Sequence, residues 1–87
     1  MNATVRTLVT TEELIAELNK RVHAHEDLGE DFKVRSVTPL RGTDQSGCNW
    51  SDPILRASGR EHDNFSKRAW VKIVEATQRE FNLAVAP

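Results

Sequence analysis

The chain has one cysteine, Cys48, among its 87 residues, so no disulfide can form within it and a disulfide-stapled scaffold is excluded. No apolar run is long enough to cross a bilayer or to serve as the hydrophobic part of a signal peptide, which predicts a cytoplasmic protein with no membrane partner. Only four glycines are present, and they form neither G-x-G-x-x-G nor G-x-x-x-x-G-K-[ST]. Nucleotide binding through either phosphate-cradling loop is therefore out. There is no internal repeat and no low-complexity segment.

A large charge imbalance is also missing, since 12 basic side chains stand against 13 acidic ones. A surface that tracks nucleic-acid phosphates usually carries a basic excess, and a pI near 6.3 is not that. Lys67, Arg68, Lys72 and Arg79 on a predicted helix, with Arg41, Arg56 and Arg60 near a turn, leave a weak nucleic-acid binder as an alternative, although no RRM, KH, zinc-finger or helix-turn-helix signature accompanies them. The charge is unevenly spread along the chain. Residues 1–31 hold seven acidic and three basic side chains, and residues 32–87 hold six acidic and nine basic ones. Such a split could steer an acidic or basic partner, or be neutralised when the two halves pack together or pair across a dimer.

What is present is concentrated in residues 40–59. This stretch holds three of the four glycines, the cysteine and one of the two tryptophans. A loop rich in Gly, Asp and Ser between two apolar runs predicts a β-hairpin. Its first strand spans 32–40, with Val34 on one side and Lys33, Arg35 and Val37 on the other. The second spans 48–55, with Cys48, Trp50 and Ile54 on one face and Pro53 marking an edge or a break.

Helices flank the hairpin. Thr10 is the expected cap of the first, because Glu13 completes a capping box and Val9 can staple onto Leu14. Leu14, Ile15, Leu18 and Val22 form its apolar stripe, Glu17 can pair with Arg21, and it should stop between residues 25 and 29. Asp63 or Asn64 caps the second, whose stripe is Phe65, Ala69, Trp70, Ile73, Val74, Thr77 and Phe81. Asn82 is its expected C-terminal cap, with Leu83 folding back against it. Residues 3–9 are rich in β-branched side chains and form a candidate extra strand.

The expectation is an α+β fold in one compact domain over 1–87, ordered α-β-β-α, with a small antiparallel sheet covered on one face by two helices. Leu14, Leu18, Val22, Val34, Ile54, Trp70, Ile73 and Val74 are the expected core. So short a chain buries little of its surface, and a two-stranded ribbon leaves open edges and the far side of Val37 bare. A symmetric homodimer through the hairpin edge or that far face is the expected completion.

Chemistry-bearing clusters are sparse. His23, His25, Glu26 and Asp27 are of metal-ligand type, but i and i+2 lie on opposite sides of a helix, so both imidazoles reach one ion only if the helix has ended. Cys48 with His23, His25 or His62 could make a thiol-dependent or metal-assisted enzyme or sensor, although a lone cysteine on a strand also serves as a small buried hydrophobe and no basic neighbour is evident to activate it. Three Asn-x-Ser/Thr triplets, at Asn2, Asn49 and Asn64, have no consequence without secretion. No cofactor and no metal is expected.

Trp50 beside its polar loop, with Arg41, Asp44, Asn49 and Arg56 around it, is a candidate surface for an unidentified protein partner. It is equally a way to fill a thin core. Residues 47–51 (Gly-Cys-Asn-Trp-Ser), 55–59 (Leu-Arg-Ala-Ser-Gly) and the run from Ile73-Val74 through Phe81-Asn82-Leu83 resemble, in that order, a group of small uncharacterised bacterial proteins. The resemblance covers roughly residues 10–84 and implies a bacterial origin and one continuous domain. It implies no activity. The reading is a non-enzymatic interaction or scaffold module of the bacterial cytosol.

Overall fold

Thr10 caps the first helix as its spacing requires. Its hydroxyl accepts from the Glu13 N–H while the Glu13 carboxylate accepts from the Thr10 N–H, so two donors that a helix start leaves orphaned are satisfied reciprocally. The computed structural model describes residues 6–59 and 63–84. In chain order it contains β1 (Thr7–Val9), α1 (Thr11–Ala24), a 3-10 turn (Gly29–Asp31), β2 (Phe32–Pro39), β3 (Trp50–Ala57), α2 (Asn64–Glu80) and β4 (Phe81–Leu83). The fold is α+β, with β2 and β3 antiparallel and β1 and β4 forming a separate parallel pair. No helix among the described residues is long and apolar enough to cross a membrane.

The α1 stripe of Leu14, Leu18 and Val22 is fully buried, and α1 ends at Ala24 with His25 as its cap. Helix α1 packs on β2, while α2 packs on α1 and on β4. Asp63 caps α2 by accepting from the Ser66 N–H. The buried line of α2 is Ser66, Ala69, Ile73 and Thr77. Phe65, expected within the stripe, is 67% exposed, Trp70 is half-buried against the core, and Val74 is half-buried. The buried line is thus mostly small residues, with Ile73 its one large apolar side chain. The Thr77 hydroxyl donates to the Ile73 carbonyl and accepts from Arg21 Nη1, so a buried polar group on this line is satisfied.

The hairpin departs from simple alternation. Its pairing runs Phe32 with Ala57, Val34 with Leu55, Ser36 with Ile54 and Thr38 with Ser51. From Val34 to Ser36 β2 carries one residue more than β3, and from Ser36 to Thr38 β3 carries one more than β2. These two compensating bulges reverse the side-chain parity and then restore the register. Asp52 takes the extra turn in β3 at φ 47°, a conformation Asp tolerates better than most residues. Two expectations fail here for that one reason. Val37 is buried, not bare on the far face, and Ile54 is 43% exposed, while Leu55 turns to the core side.

The expected N-terminal strand exists, but it does not extend the hairpin sheet. It pairs with β4, Thr7 opposite Phe81 through Val9 opposite Leu83. Asn82 is accordingly a strand residue and not a helix cap, because the chain passes from α2 directly into β4 with Phe81 as the cap residue. The ion pair that joins the two parts of the chain runs against their net charges, from a base of the acidic part to an acid of the basic part. Arg21 of α1 binds Glu17 and, through two nitrogens, Glu80 at the end of α2, and it lies 5.5 Å from the centre of the Phe81 ring.

Candidate interaction surface

The loop between β2 and β3 is built on Asp44. One of its carboxylate oxygens accepts from the Ser46 hydroxyl, the Ser46 N–H and the Cys48 N–H. Those bonds, the Ser46 hydroxyl foremost, hold the carboxyl below its usual range. The Asp44 N–H donates to the Cys48 carbonyl, and the Gly47 N–H donates back to Asp44. Gly47 stands at φ 93°, where a side chain would be strained, and a Cβ there would lie 2.9 Å from Arg6 Nη1. Arg6, to which the sequence reading gave no role, donates to the Ser46 carbonyl from one nitrogen and to the Gln78 carbonyl from another, joining the loop to the negative end of α2.

Two asparagines then lock the loop to β4. Asn49 donates to the Leu83 carbonyl and accepts from the Leu83 N–H, as a neighbouring strand's peptide group would. Asn82 donates to the Gly47 carbonyl and accepts from the Asn49 N–H. Trp50 lies beneath them, 0% exposed, with its indole N–H donating to the Phe81 carbonyl.

Of the five residues proposed from sequence as a contact surface, three are therefore engaged internally. Trp50 is core and offers no ring to a partner, Asn49 is occupied by Leu83, and Asp44 organises the turn. Arg41 and Arg56 are exposed. The signal missed was chemical. Asn and Asp in a loop read as turn formers, but a side-chain amide can also complete a strand's hydrogen bonding.

Cys48 is fully buried, and its Sγ donates to the Trp50 carbonyl at 3.3 Å. Burial pushes the thiol up, and the nearby Asp44 charge pushes the same way, so the site disfavours a thiolate nucleophile. The imidazoles bind elsewhere. His23 Nε2 donates to the Phe32 carbonyl, and His25 Nδ1 accepts from the Asp27 N–H. His62 and Arg60 lie outside the described residues. Among those described, no three His, Cys, Asp or Glu side chains form a metal-holding group. Of the basic residues, Lys67, Arg68, Lys72 and Arg79 stand on α2, where Arg68 and Lys72 border a crevice with His25 and Asp27 and Arg79 approaches Glu75, while Arg56 stands opposite Lys33 on the hairpin.

The hairpin's two outer edges differ. On β2, the Asn19 amide of α1 accepts from the Val34 N–H and donates to the Val34 carbonyl, and one turn further along α1 His23 takes the Phe32 carbonyl. Since the main chain of Val34 points away from β3, its opposite residue Leu55 points its own N–H and C=O away from β2, and Ala57 and the Pro53 carbonyl follow by alternation. No side chain or loop among the described residues bonds these outward groups of β3. A groove of about 350 Å³ runs between Ser51, Asp52 and Pro53 of β3 and Trp70, Val71, Val74, Glu75 and Gln78 of α2.

No protein family, curated protein or solved structure matches this chain.

Proposed function

We propose that the protein is a non-enzymatic interaction or scaffold module of the bacterial cytosol that engages another chain through the β3 side of its hairpin. The observation that carries this reading is the unpaired outer edge of β3. An exposed strand edge is a template for strand addition, main-chain bonds giving affinity and alternate side chains giving specificity. The groove between β3 and α2, with Val71 52% exposed, offers the alternating side chains of an added strand somewhere to go. A buried thiol fits a reducing compartment, and the resemblance of residues 10–84 to small bacterial proteins supports the origin.

The test is a residue-resolved NMR titration with extended peptides that alternate apolar and polar side chains. The Leu55 and Ala57 amides and the Trp70 indole shift first. Peptides that bind but perturb only the β2 edge or the solvent face of α1 would overturn the reading, as would a panel from which none perturbs β3.

A further inference from the structure

The interaction reading leaves open which chain completes the β3 edge. Resting on that reading, we propose that it is a second copy of this chain, with β3 paired antiparallel to β3 about a two-fold axis at Ile54.

The strand is complementary to itself. Along β3 exposure alternates, Asp52, Ile54 and Arg56 being exposed and Pro53, Leu55 and Ala57 half-buried. In an antiparallel pair centred on Ile54, Ile54 faces Ile54 of the second copy, Asp52 faces Arg56 of the second copy, and Arg56 faces the other Asp52. Directly opposed residues point to the same side of a sheet. One acid and one base thus make two ion pairs by symmetry. Neither has an ion-pair partner within the described chain, and Ile54, an exposed large apolar residue of the hairpin, finds its cover on the axis.

The register is selective. Moving the axis by one residue either way sets Asp52 opposite Ser58 or opposite Ile54 and separates both charge pairs. In the proposed register Pro53 faces Leu55 of the second copy as a hydrogen-bonded pair. The Pro53 carbonyl accepts the Leu55 N–H, and the donor that proline lacks is the return bond only, so no donor of the pair is stranded.

Two features outside β3 agree. Arg56 stands directly opposite Lys33 within the hairpin, a like-charge pair that is unfavourable alone; Asp52 of the second copy would flank Arg56 on its other side and offset it. The four-stranded sheet that results, β2-β3-β3-β2, ends on both sides in β2, whose outer edge is the one that Asn19 and His23 already bond in part. The dimer covers both β3 edges and leaves outermost the strand whose edge is bonded at Val34 and Phe32.

Site-directed cross-linking with sedimentation tests this. Wild-type protein shows a concentration-dependent monomer–dimer equilibrium between micromolar and near-millimolar concentration. Asp52→Asn, which keeps a residue tolerant of positive φ, and Arg56→Gln each raise the dimer dissociation constant about tenfold, as expected for loss of two ion pairs. Ile54→Cys forms a disulfide-linked dimer under mild oxidation, because opposed residues at a non-hydrogen-bonded position bring their Cα atoms within disulfide range. Arg56→Cys, several residues from its own copy, does not, and wild type with only buried Cys48 does not. A strictly monomeric chain, or faster cross-linking through Arg56→Cys than through Ile54→Cys, overturns the proposal. If the chain is monomeric and peptides still shift Leu55 and Ala57, the interaction reading survives with another occupant; if neither occurs, both fall.

Discussion

Two strands of one hairpin meet opposite treatment. The outer edge of β2 is bonded near its start by an i, i+4 pair on α1, Asn19 and His23, which take the Val34 N–H and C=O and the Phe32 carbonyl. The outer edge of β3 receives nothing comparable from α2, which packs on α1 and β4 and leaves a groove between itself and β3. A small fold can saturate a strand with side chains where a polar helix face passes alongside, or from a loop, as Asn49 does at Leu83. Where the passing face is Trp70, Val71 and Val74, it can only offer apolar cover, and the backbone groups remain available.

The comparison can be broken most severely from beneath. Trp50→Ala removes the largest fully buried side chain and leaves the Phe81 carbonyl without its donor. It should destabilise the fold by about 3 to 5 kcal/mol in chemical denaturation, releasing both edges together. Asn19→Ala is more selective. It strips the β2 edge of two bonds at Val34 and should cost about 1 to 3 kcal/mol, with the loss of amide protection greatest at Val34 and the pairing of β1 with β4 unaffected.

These two substitutions also divide what the sequence made legible from what it hid. The N-terminal caps Thr10 and Asp63, the α1 stripe, the Glu17–Arg21 pair and the hairpin follow from local spacing and were readable. Ile54 and Val37 were assigned to the wrong faces because strict alternation was carried through two bulges, and a bulge is set by how the pair must twist, not by either strand's own pattern. Phe81 to Leu83 read as a helix end because three residues are too few for a periodicity, and their strand character comes from β1, more than seventy residues away in sequence. Asn19, exposed by helical position, gave no sign that it faces a strand. Of the candidate surface, Arg41 and Arg56 were placed outward correctly. Asp44 is exposed too but spends its carboxylate on its own loop, and Trp50 and Asn49 are turned inward, since a polar loop can be satisfied inwardly as readily as outwardly.

Smaller effects sharpen the contrast. The Arg21 guanidinium beside Glu80 holds that carboxyl below its ordinary value. A folded pKa lowered in this way stabilises the fold above the unfolded value and loses that contribution as pH falls through the folded one. Glu80 is about half exposed, so screening limits the effect to about 1 kcal/mol or less. Glu80→Gln should accordingly flatten the acid limb of a pH–stability profile slightly and leave neither hairpin edge altered. Smallest of all is Ile54→Ser. With the side chain 43% exposed, monomer stability measured in dilute solution should change by no more than about 0.5 kcal/mol, while the dimer proposed above is weakened.

Amide hydrogen exchange read at Val34, Leu55 and Ala57 tests the difference between the edges most directly. In dilute solution Val34, bonded to Asn19, exchanges slowly, and Leu55 and Ala57 exchange fast although they sit in the same hairpin. At high protein concentration Leu55 slows toward Val34 as a second copy pairs with it. Leu55 and Ala57 as slow as Val34 in dilute protein would show the β3 edge to be closed already, and would contradict the account.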